Sequence, residues 1–177
     1  MKKNILLGVT GGVAIYKSLF LISLLKKNGF DVQVIMTENA TKLISPQLFS
    51  SMSKNFVRTK TFDDSVNKIE HIELSRWADL FVVDPATANL IGKMANGIAD
   101  DLLSTTLMGA NKQIVVCPAM NTQMWNNKAF QRNLKQIKDD GIIVLEPGEG
   151  RLACGETGKG RMEEPTEIVK KIEEILK

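Results

Sequence analysis

The 177-residue sequence contains a single histidine, a single tyrosine and only two cysteines. With His71 as its one imidazole, the chain cannot build a zinc site of the His-Glu-x-x-His kind, so a hydrolase with several histidine ligands is excluded. Cys117 and Cys154 are too few for a disulfide scaffold and indicate a reducing compartment. The sequence therefore gives no support to a histidine-based metal centre.

The sequence also lacks long hydrophobic runs and dense clusters of basic residues. The N-terminal apolar run breaks at Gly8, too early for a signal peptide, and no stretch approaches the roughly 18 apolar residues of a membrane span. The 23 basic and 20 acidic residues leave a net charge of +3, which is too balanced to indicate a nucleic-acid binder. These absences predict a cytoplasmic protein that binds neither membranes nor nucleic acid.

Apolar segments typical of buried strands alternate with segments of helical period. Strands are predicted from five nearly continuous apolar runs, at 4–9, 31–37, 79–84, 113–117 and 142–145. Helices are predicted at 13–27, 40–44, from Pro46, at 86–95, 98–110, 125–138 and from Pro165 onward. This alternation predicts one domain, 1–177, with a parallel sheet in a three-layer α/β/α sandwich, a Rossmann-like or flavodoxin-like fold.

Two kinds of residue mark the expected boundaries of these elements. Pro85 and Pro118 are expected to end the third and fourth strands, because proline cannot donate a ladder hydrogen bond. Five glycines among the 13 residues 148–160 predict a mobile loop there.

The segments that follow the predicted strands contain small, hydroxyl and amide residues, and ligands of parallel sheets bind at that edge. These segments are 10–12, 37–39, 85–89, 118–121 and the glycine-rich loop. Close backbone N–H groups and neutral hydrogen-bonding side chains suit a planar cofactor with a phosphate group. Gly8, Gly11 and Gly12 depart from the G-x-G-x-x-G spacing, so the dinucleotide fingerprint is absent.

Three side chains near these segments could carry chemistry. His71 precedes the third strand, where a lone histidine is more often a solvent-exposed or capping residue. Asn121 could equally be a helix N-cap. Cys154 lies in the glycine-rich loop, and the nearby Arg151 and Lys159 favour a reactive thiolate, whereas Cys117 sits in an apolar run typical of a structural cysteine.

Four motifs, taken in chain order, resemble the homo-oligomeric flavin-containing cysteine decarboxylases. They are GGVAIYK at 11–17, HIEL at 71–74, PAMNTQMW at 118–125 and the run from ACGE to GRM at 153–162. The stretch PATANLIGKMANGIADDLL at 85–103 is also similar, so the resemblance covers nearly the whole chain.

The resemblance implies an FMN enzyme without a metal, which converts 4′-phosphopantothenoylcysteine to 4′-phosphopantetheine and CO₂ in coenzyme A biosynthesis. It implies a redox-neutral cycle with thioaldehyde and enethiolate intermediates, in which the flavin carries the difficult chemistry and the protein positions the reactants.

The resemblance also implies roles for individual residues. His71 would act as the acid/base group, Asn121 would bind the substrate carboxylate, and Cys154 would donate a proton beneath a closing lid. Arg151 and Ala153 would bind substrate beside them. The positions expected to bind FMN are Gly12, Val13, Ala14, Thr37, Glu38, Asn39, Thr87, Ala88, Asn89, Leu90 and Ala119, with Ser104 and Thr105 as further candidates.

Members of this family form trimers, often four trimers in a dodecamer, with FMN at subunit contacts. A homo-oligomer is therefore implied, and the synthetase domain that follows in many bacterial relatives is expected on a separate chain. Asp84, before Pro85, departs from the small apolar residue that is common in relatives.

Other functions remain open at this point. Peptidyl-cysteine oxidative decarboxylases share the histidine and the Pro-Ala-Met-Asn motif but stop at the enethiol, so Cys154 favours the complete reaction. Flavin prenyltransferases share the fold, but their chemistry does not call for a lid thiol. Non-catalytic flavin-binding regulatory subunits carry long acidic extensions that this sequence lacks, and a plain nucleotide-binding module would hold no flavin.

Overall fold

The structure is a computed structural model that describes residues 2–62, 70–153 and 155–177. The strands of its main sheet are β1 (Asn4–Val9), β2 (Asp31–Met36), β3 (Val57–Arg58), β4 (Leu80–Ala86), β5 (Ile114–Pro118) and β6 (Ile143–Val144). All pair in parallel, in the order β3-β2-β1-β4-β5-β6. The strand order reverses between β1 and β4, which is where doubly wound sheets open a ligand crevice.

Helices cover both faces of this sheet. They are α1 (Ile15–Lys27), α2 (Glu38–Thr41), α3 (Pro46–Ser53), α4 (Glu70–Trp77), α5 (Ala88–Ala95), α6 (Leu102–Met108), α7 (Thr122–Trp125), α8 (Lys128–Asp139) and α9 (Pro165–Ile175). One apolar core joins the sheet to α1, α3 and α9, and a second joins it to α4, α5, α6 and α8. Along β4, Leu80 and Val82 belong to the first core and Phe81 and Val83 to the second, because a central strand is buried on both faces.

The predicted three-layer α/β/α sandwich is confirmed, but β4 runs further than expected. It continues through Asp84 and Pro85, which are joined by a cis peptide bond, to Ala86. Pro85 is tolerated because it lies where the pairing register with β5 shifts. Thr10 Oγ1 donates to the Pro85 carbonyl at 2.6 Å and accepts from the Thr87 N–H at 3.0 Å, so the neighbouring backbone groups remain paired.

Three predicted helices begin or break at other residues. Helix α5 starts at Ala88 rather than at residue 86, because β4 extends to Ala86. Helix α6 starts only at Leu102, since Asp101 forms a reciprocal capping box with Ser104. The helix predicted over 125–138 is interrupted where Asn127 accepts hydrogen bonds from the first turn of α8.

Two elements had no sequence signal. Strand β3 has only two residues, too few for a pattern, and it joins the edge of the sheet by pairing with β2. Helix α4 carries His71 and packs on the second core through Leu74. The polar segment 54–69, for which no element was predicted, lies partly outside the described residues.

The prediction of a loop over 148–160 is wrong for most of its described residues. Strands β7 (Gly148–Arg151) and β8 (Thr157–Arg161) pair there as an antiparallel hairpin. Two of the glycines serve close packing: a Cβ atom on Gly158 would overlap Thr122, and one on Gly160 would overlap the Met120 carbonyl. Glycine is therefore needed at these positions because a side chain would collide with the neighbouring segment, and not only because it makes the chain flexible.

In the described part of the chain, no helix combines the length and the apolar character that crossing a membrane requires.

Candidate functional site

A cavity of about 590 Å³ opens at the carboxyl ends of β1, β4 and β5. Its volume lies within the range of small-molecule sites. The sequence-predicted site residues that line it are Gly12, Val13, Ala14, Thr87, Ala88, Ala119, Asn121, Arg151 and Ala153. Residues from four separate segments of the sequence thus converge on one cavity.

The turn between β1 and α1 brings backbone close to this cavity. A Cβ atom on Gly11 would lie 2.7 Å from the Asn39 Cβ, and one on Gly12 would lie 3.4 Å from Pro85 Cγ. Helix α1 begins after Ala14 with no side-chain cap and no acidic residue in its first turn. The positive end of the helix dipole at this place suits an anionic group.

Three cations line the cavity wall, and the described lining residues include no aspartate or glutamate. The buried Lys17 donates from Nζ to the Met162 carbonyl at 3.2 Å and to Glu164 Oε1 at 2.9 Å. Arg161 donates to the same Glu164 oxygen at 2.8 Å. The hydrogen bond from Lys17 is the main reason that the pKa of Glu164 is lowered. The third cation is Arg151 on β7. Because the charged side chains that line the wall are cations, the cavity favours an anionic ligand.

Asn121 lies on the segment between β5 and α7. Its Oδ1 accepts a hydrogen bond of 2.8 Å from the Met124 N–H, so the residue is the N-cap of α7. The same side chain lines the cavity, and within the described part of the chain its amide is hydrogen-bonded through Oδ1. The capping and the ligand-binding interpretations of Asn121 are therefore compatible, because capping leaves Nδ2 available as a donor.

His71 lies away from this cavity. It is the second residue of α4, it is half-buried, and its carbonyl accepts a hydrogen bond of 2.7 Å from Ser75 Oγ. His71 is not among the described residues that line the cavity. Within one chain, the structure therefore does not bring His71 and Asn121 together.

Cys154 lies outside the described residues. The residues before it, Leu152 and Ala153, line the cavity, and so does Gly160 on the returning strand β8. The strands before and after Cys154 thus both contribute residues to the cavity wall.

The remaining predicted cofactor positions do not line the cavity. Thr37 caps α2, Glu38 forms an exposed ion pair with Lys42, and Asn39 packs behind Gly11. Others have structural contacts or lie on the surface: Asn89 is exposed, Leu90 is in the second core, Ser104 completes the capping box of α6 and Thr105 donates to the Ala99 carbonyl.

The cavity also contains residues that had not been singled out. Among them are Tyr16, Lys17, Met120, Arg161 and Met162. All five lie inside motifs that had been noted, but the motifs alone could not show which of their side chains face the ligand.

The chain has a doubly wound parallel sheet, and a glycine turn and a cationic cavity lie where its strand order reverses. These features define the class of α/β proteins that bind phosphate-bearing cofactors. The family model described as Flavoprotein matches residues 1–177, and the chain belongs to this family. The predicted flavoprotein resemblance is therefore confirmed.

Relatives with known names sharpen this assignment. The chain is 50% identical over 169 residues to the coenzyme A biosynthesis bifunctional protein CoaBC of Bacillus subtilis (strain 168); the match covers 95% of this chain and 42% of that protein. The chain thus spans less than half the length of this relative.

Solved structures are similar over nearly the whole chain. A PPC decarboxylase, solved as a cysteine-to-serine mutant complexed with pantothenoylaminoethenethiol, superposes with a TM-score of 0.88 at 30% identity, covering 99% of both chains. The FMN-dependent cysteine decarboxylase SpaF superposes with a TM-score of 0.84 at 29% identity, covering 96% of this chain and 94% of that one.

Proposed function

We propose that this chain is an FMN-dependent decarboxylase that converts 4′-phosphopantothenoylcysteine to 4′-phosphopantetheine and CO₂ in coenzyme A biosynthesis. The observation that carries the proposal is that the glycine turn, Asn121 and the hairpin residues Arg151 to Ala153, which directly precede Cys154, meet at one cavity. The similarity to CoaBC and to PPC decarboxylase supports the same substrate.

The cavity residues fit FMN. Gly11 and Gly12 allow the backbone at α1 to approach an anion, while small residues such as Val13, Ala88 and Ala119 leave room for a planar ring. Thr37 and Asn39 lie behind Gly11, at the same edge of the sheet. Bound FMN supplies reversible two-electron chemistry, which decarboxylation at a cysteine carbon requires and side chains do not offer.

Asn121 binds the substrate carboxylate. Its cap bond to Met124 fixes the orientation of the amide. A neutral donor suits a group that leaves as uncharged CO₂, because a cation would stabilise the ground state more than the transition state.

The hairpin acts as the lid of the site. Arg151 and Ala153 contact the substrate from β7 and its tip, and Cys154 donates the proton that completes the reduced product. Closure over the cavity excludes water from the reacting atoms.

The active site is completed between subunits. The cavity rim exposes an apolar stripe at the start of α1, formed by Val13 (66% exposed), Tyr16 (52%) and Phe20 (62%). Two further exposed apolar side chains are Ile72, which follows His71 on α4, and Met108 on α6, the helix that packs against α4. Contact between two different surfaces of identical chains is heterologous, and it forms a closed ring when the rotation between neighbouring chains closes.

We therefore propose a homo-oligomer in which a neighbouring subunit's His71 reaches the cavity as the acid/base group. The resemblance to the family implies a trimer or four trimers in a dodecamer.

Incubation of the purified protein with phosphopantothenoylcysteine, followed by mass spectrometry, tests the reaction. The expected product has lost CO₂ without net oxidation. A product two hydrogens lighter would favour the peptidyl-cysteine type of oxidative decarboxylase, and an FMN-loaded protein with no turnover would contradict the proposal. Asn121→Ala is the matched control, because it should retain FMN and lose turnover.

A further inference from the structure

The carboxyl group of Asp84 is isolated inside the protein. The residue is fully buried, and neither carboxylate oxygen has a hydrogen-bond partner among the described residues. Because side chains alternate along β4, Asp84 points to the same face as Val82, into the layer below α1 and α9. Burying a charged carboxylate without a partner costs free energy, so the groups around Asp84 determine whether it is charged.

Few polar groups face this carboxyl. Helix α1 contributes Lys17 and Ser18, whose hydroxyl donates to the Asp84 main-chain carbonyl at 2.7 Å. Strand β5 contributes the buried thiol of Cys117, which in turn also senses the charge of Glu163 in the segment before α9. Burial raises the pKa of Asp84 to about 7, and the Ser18 hydroxyl and the Lys17 charge oppose the rise only in part. Asp84 therefore changes charge near neutral pH.

Lys17 is the one cation among these groups, and it can respond to that change. Its ammonium has three donors, of which two are used on the Met162 carbonyl and on Glu164. Glu164 also holds Arg161, so it keeps a cationic partner if Lys17 moves away. Lys17 at the same time lines the cavity, which links the buried carboxyl to the ligand site.

We infer that Asp84 is a positioning residue for Lys17. As a neutral acid it leaves the Lys17 ammonium on Glu164 at the cavity wall, and as a carboxylate it draws that ammonium towards itself. The cluster of Lys17, Arg161, Glu163, Glu164 and Asp84 then becomes one unit more negative. An anionic ligand in the cavity is bound more weakly as a result, by about three- to tenfold for one charge at roughly 10 Å in a partly screened site.

The FMN affinity of the wild type and of Asp84→Asn, measured by flavin fluorescence between pH 6 and pH 8.5, tests this inference. The choice of FMN as the probe rests on the proposed function. We expect similar affinities at pH 6 and a three- to tenfold weaker wild type at pH 8.5, and the ratio cancels the titration of FMN itself. A ratio that stays constant with pH would overturn the inference, whereas a protein that binds no FMN at all would overturn the proposed function.

A second measurement separates positioning from a simple charge effect. Crystal structures of the wild type at pH 6 and at pH 8.5 should place Lys17 Nζ on Glu164 at the lower pH and against the Asp84 carboxylate at the higher pH. If Nζ stays on Glu164 at both pH values, Asp84 does not position it. Asp84→Asn keeps the shape of the side chain, so this variant should hold Lys17 on Glu164 throughout.

Discussion

The N–H group of Met120 donates a hydrogen bond of 3.1 Å to the carbonyl oxygen of Gly160. This bond joins the segment that carries Asn121 to β8, the second strand of the hairpin. Gly160 has a φ of +138°, and a Cβ atom there would overlap the Met120 carbonyl. The base of the proposed lid is therefore docked by backbone contact on the loop that carries Asn121.

Replacing Gly160 with alanine should break this docking. The added Cβ both strains the backbone and pushes β8 from Met120, so we expect a stability loss of about 1–3 kcal/mol together with a raised KM. Gly141→Ala is the control, because Gly141 has a φ of +86° but nothing within 4 Å of an added Cβ. Thermal unfolding and steady-state kinetics should show a stability loss in both variants and a KM effect only at Gly160. Equal kinetics for the two variants would count against the docking role.

Cys154→Ser should separate the two halves of the proposed reaction. Serine cannot replace the acidic thiol as a proton donor, so a product two hydrogens lighter than phosphopantetheine should accumulate in mass spectra. The matched control is Cys117→Ala, since Cys117 is fully buried in the first core and its burial raises the pKa of the thiol well above the usual range. This control should lower stability and leave the product unchanged. Normal product at the normal rate from Cys154→Ser would remove Cys154 from the mechanism.

A complementation experiment tests whether the site is shared between subunits. His71→Asn and Asn121→Ala should each be inactive, because each removes one part of every site. Co-refolded or co-expressed in equal amounts, they should recover about a quarter of the wild-type activity, since about one site in four then pairs an intact Asn121 with an intact His71 of the partner subunit. If His71 acted in its own subunit, the mixture would stay inactive.

Asp84→Asn should stabilise the protein at alkaline pH. The pKa of Asp84 is about 7 in the folded chain, against an ordinary value of 3.8, so the folded state binds the proton more tightly than the unfolded state does. Stability is then lost as the pH rises from about 4 through 7, by up to about 4 kcal/mol for a shift of about three units. In urea unfolding, the free energies of unfolding of the wild type and the variant should converge near pH 4. At pH 8 the variant should have the higher free energy of unfolding. A difference between them that does not vary with pH would contradict the buried-carboxyl assignment.

Much of the fold was predictable because its signals are local. Strands β1, β2 and β5 lie within about one residue of their predicted bounds, since strands buried on both faces are largely apolar. Strand β3 and the start of α6 were not predictable, because a two-residue pairing and a reciprocal cap depend on neighbours that a pattern does not contain.

The candidate site divides in the same way. The sequence by itself determined the chemistry available, namely one imidazole, one amide after Pro-Ala-Met, one loop thiol and a glycine turn, because these are properties of residue types in short motifs. Only the tertiary structure decided that Asn121 and the hairpin share a cavity, that His71 lies away from it, and that the Asp84 carboxylate is buried with no hydrogen-bond partner among the described residues. Distances between segments far apart in the chain arise from how the helices and strands pack, and spacing along the sequence does not encode them.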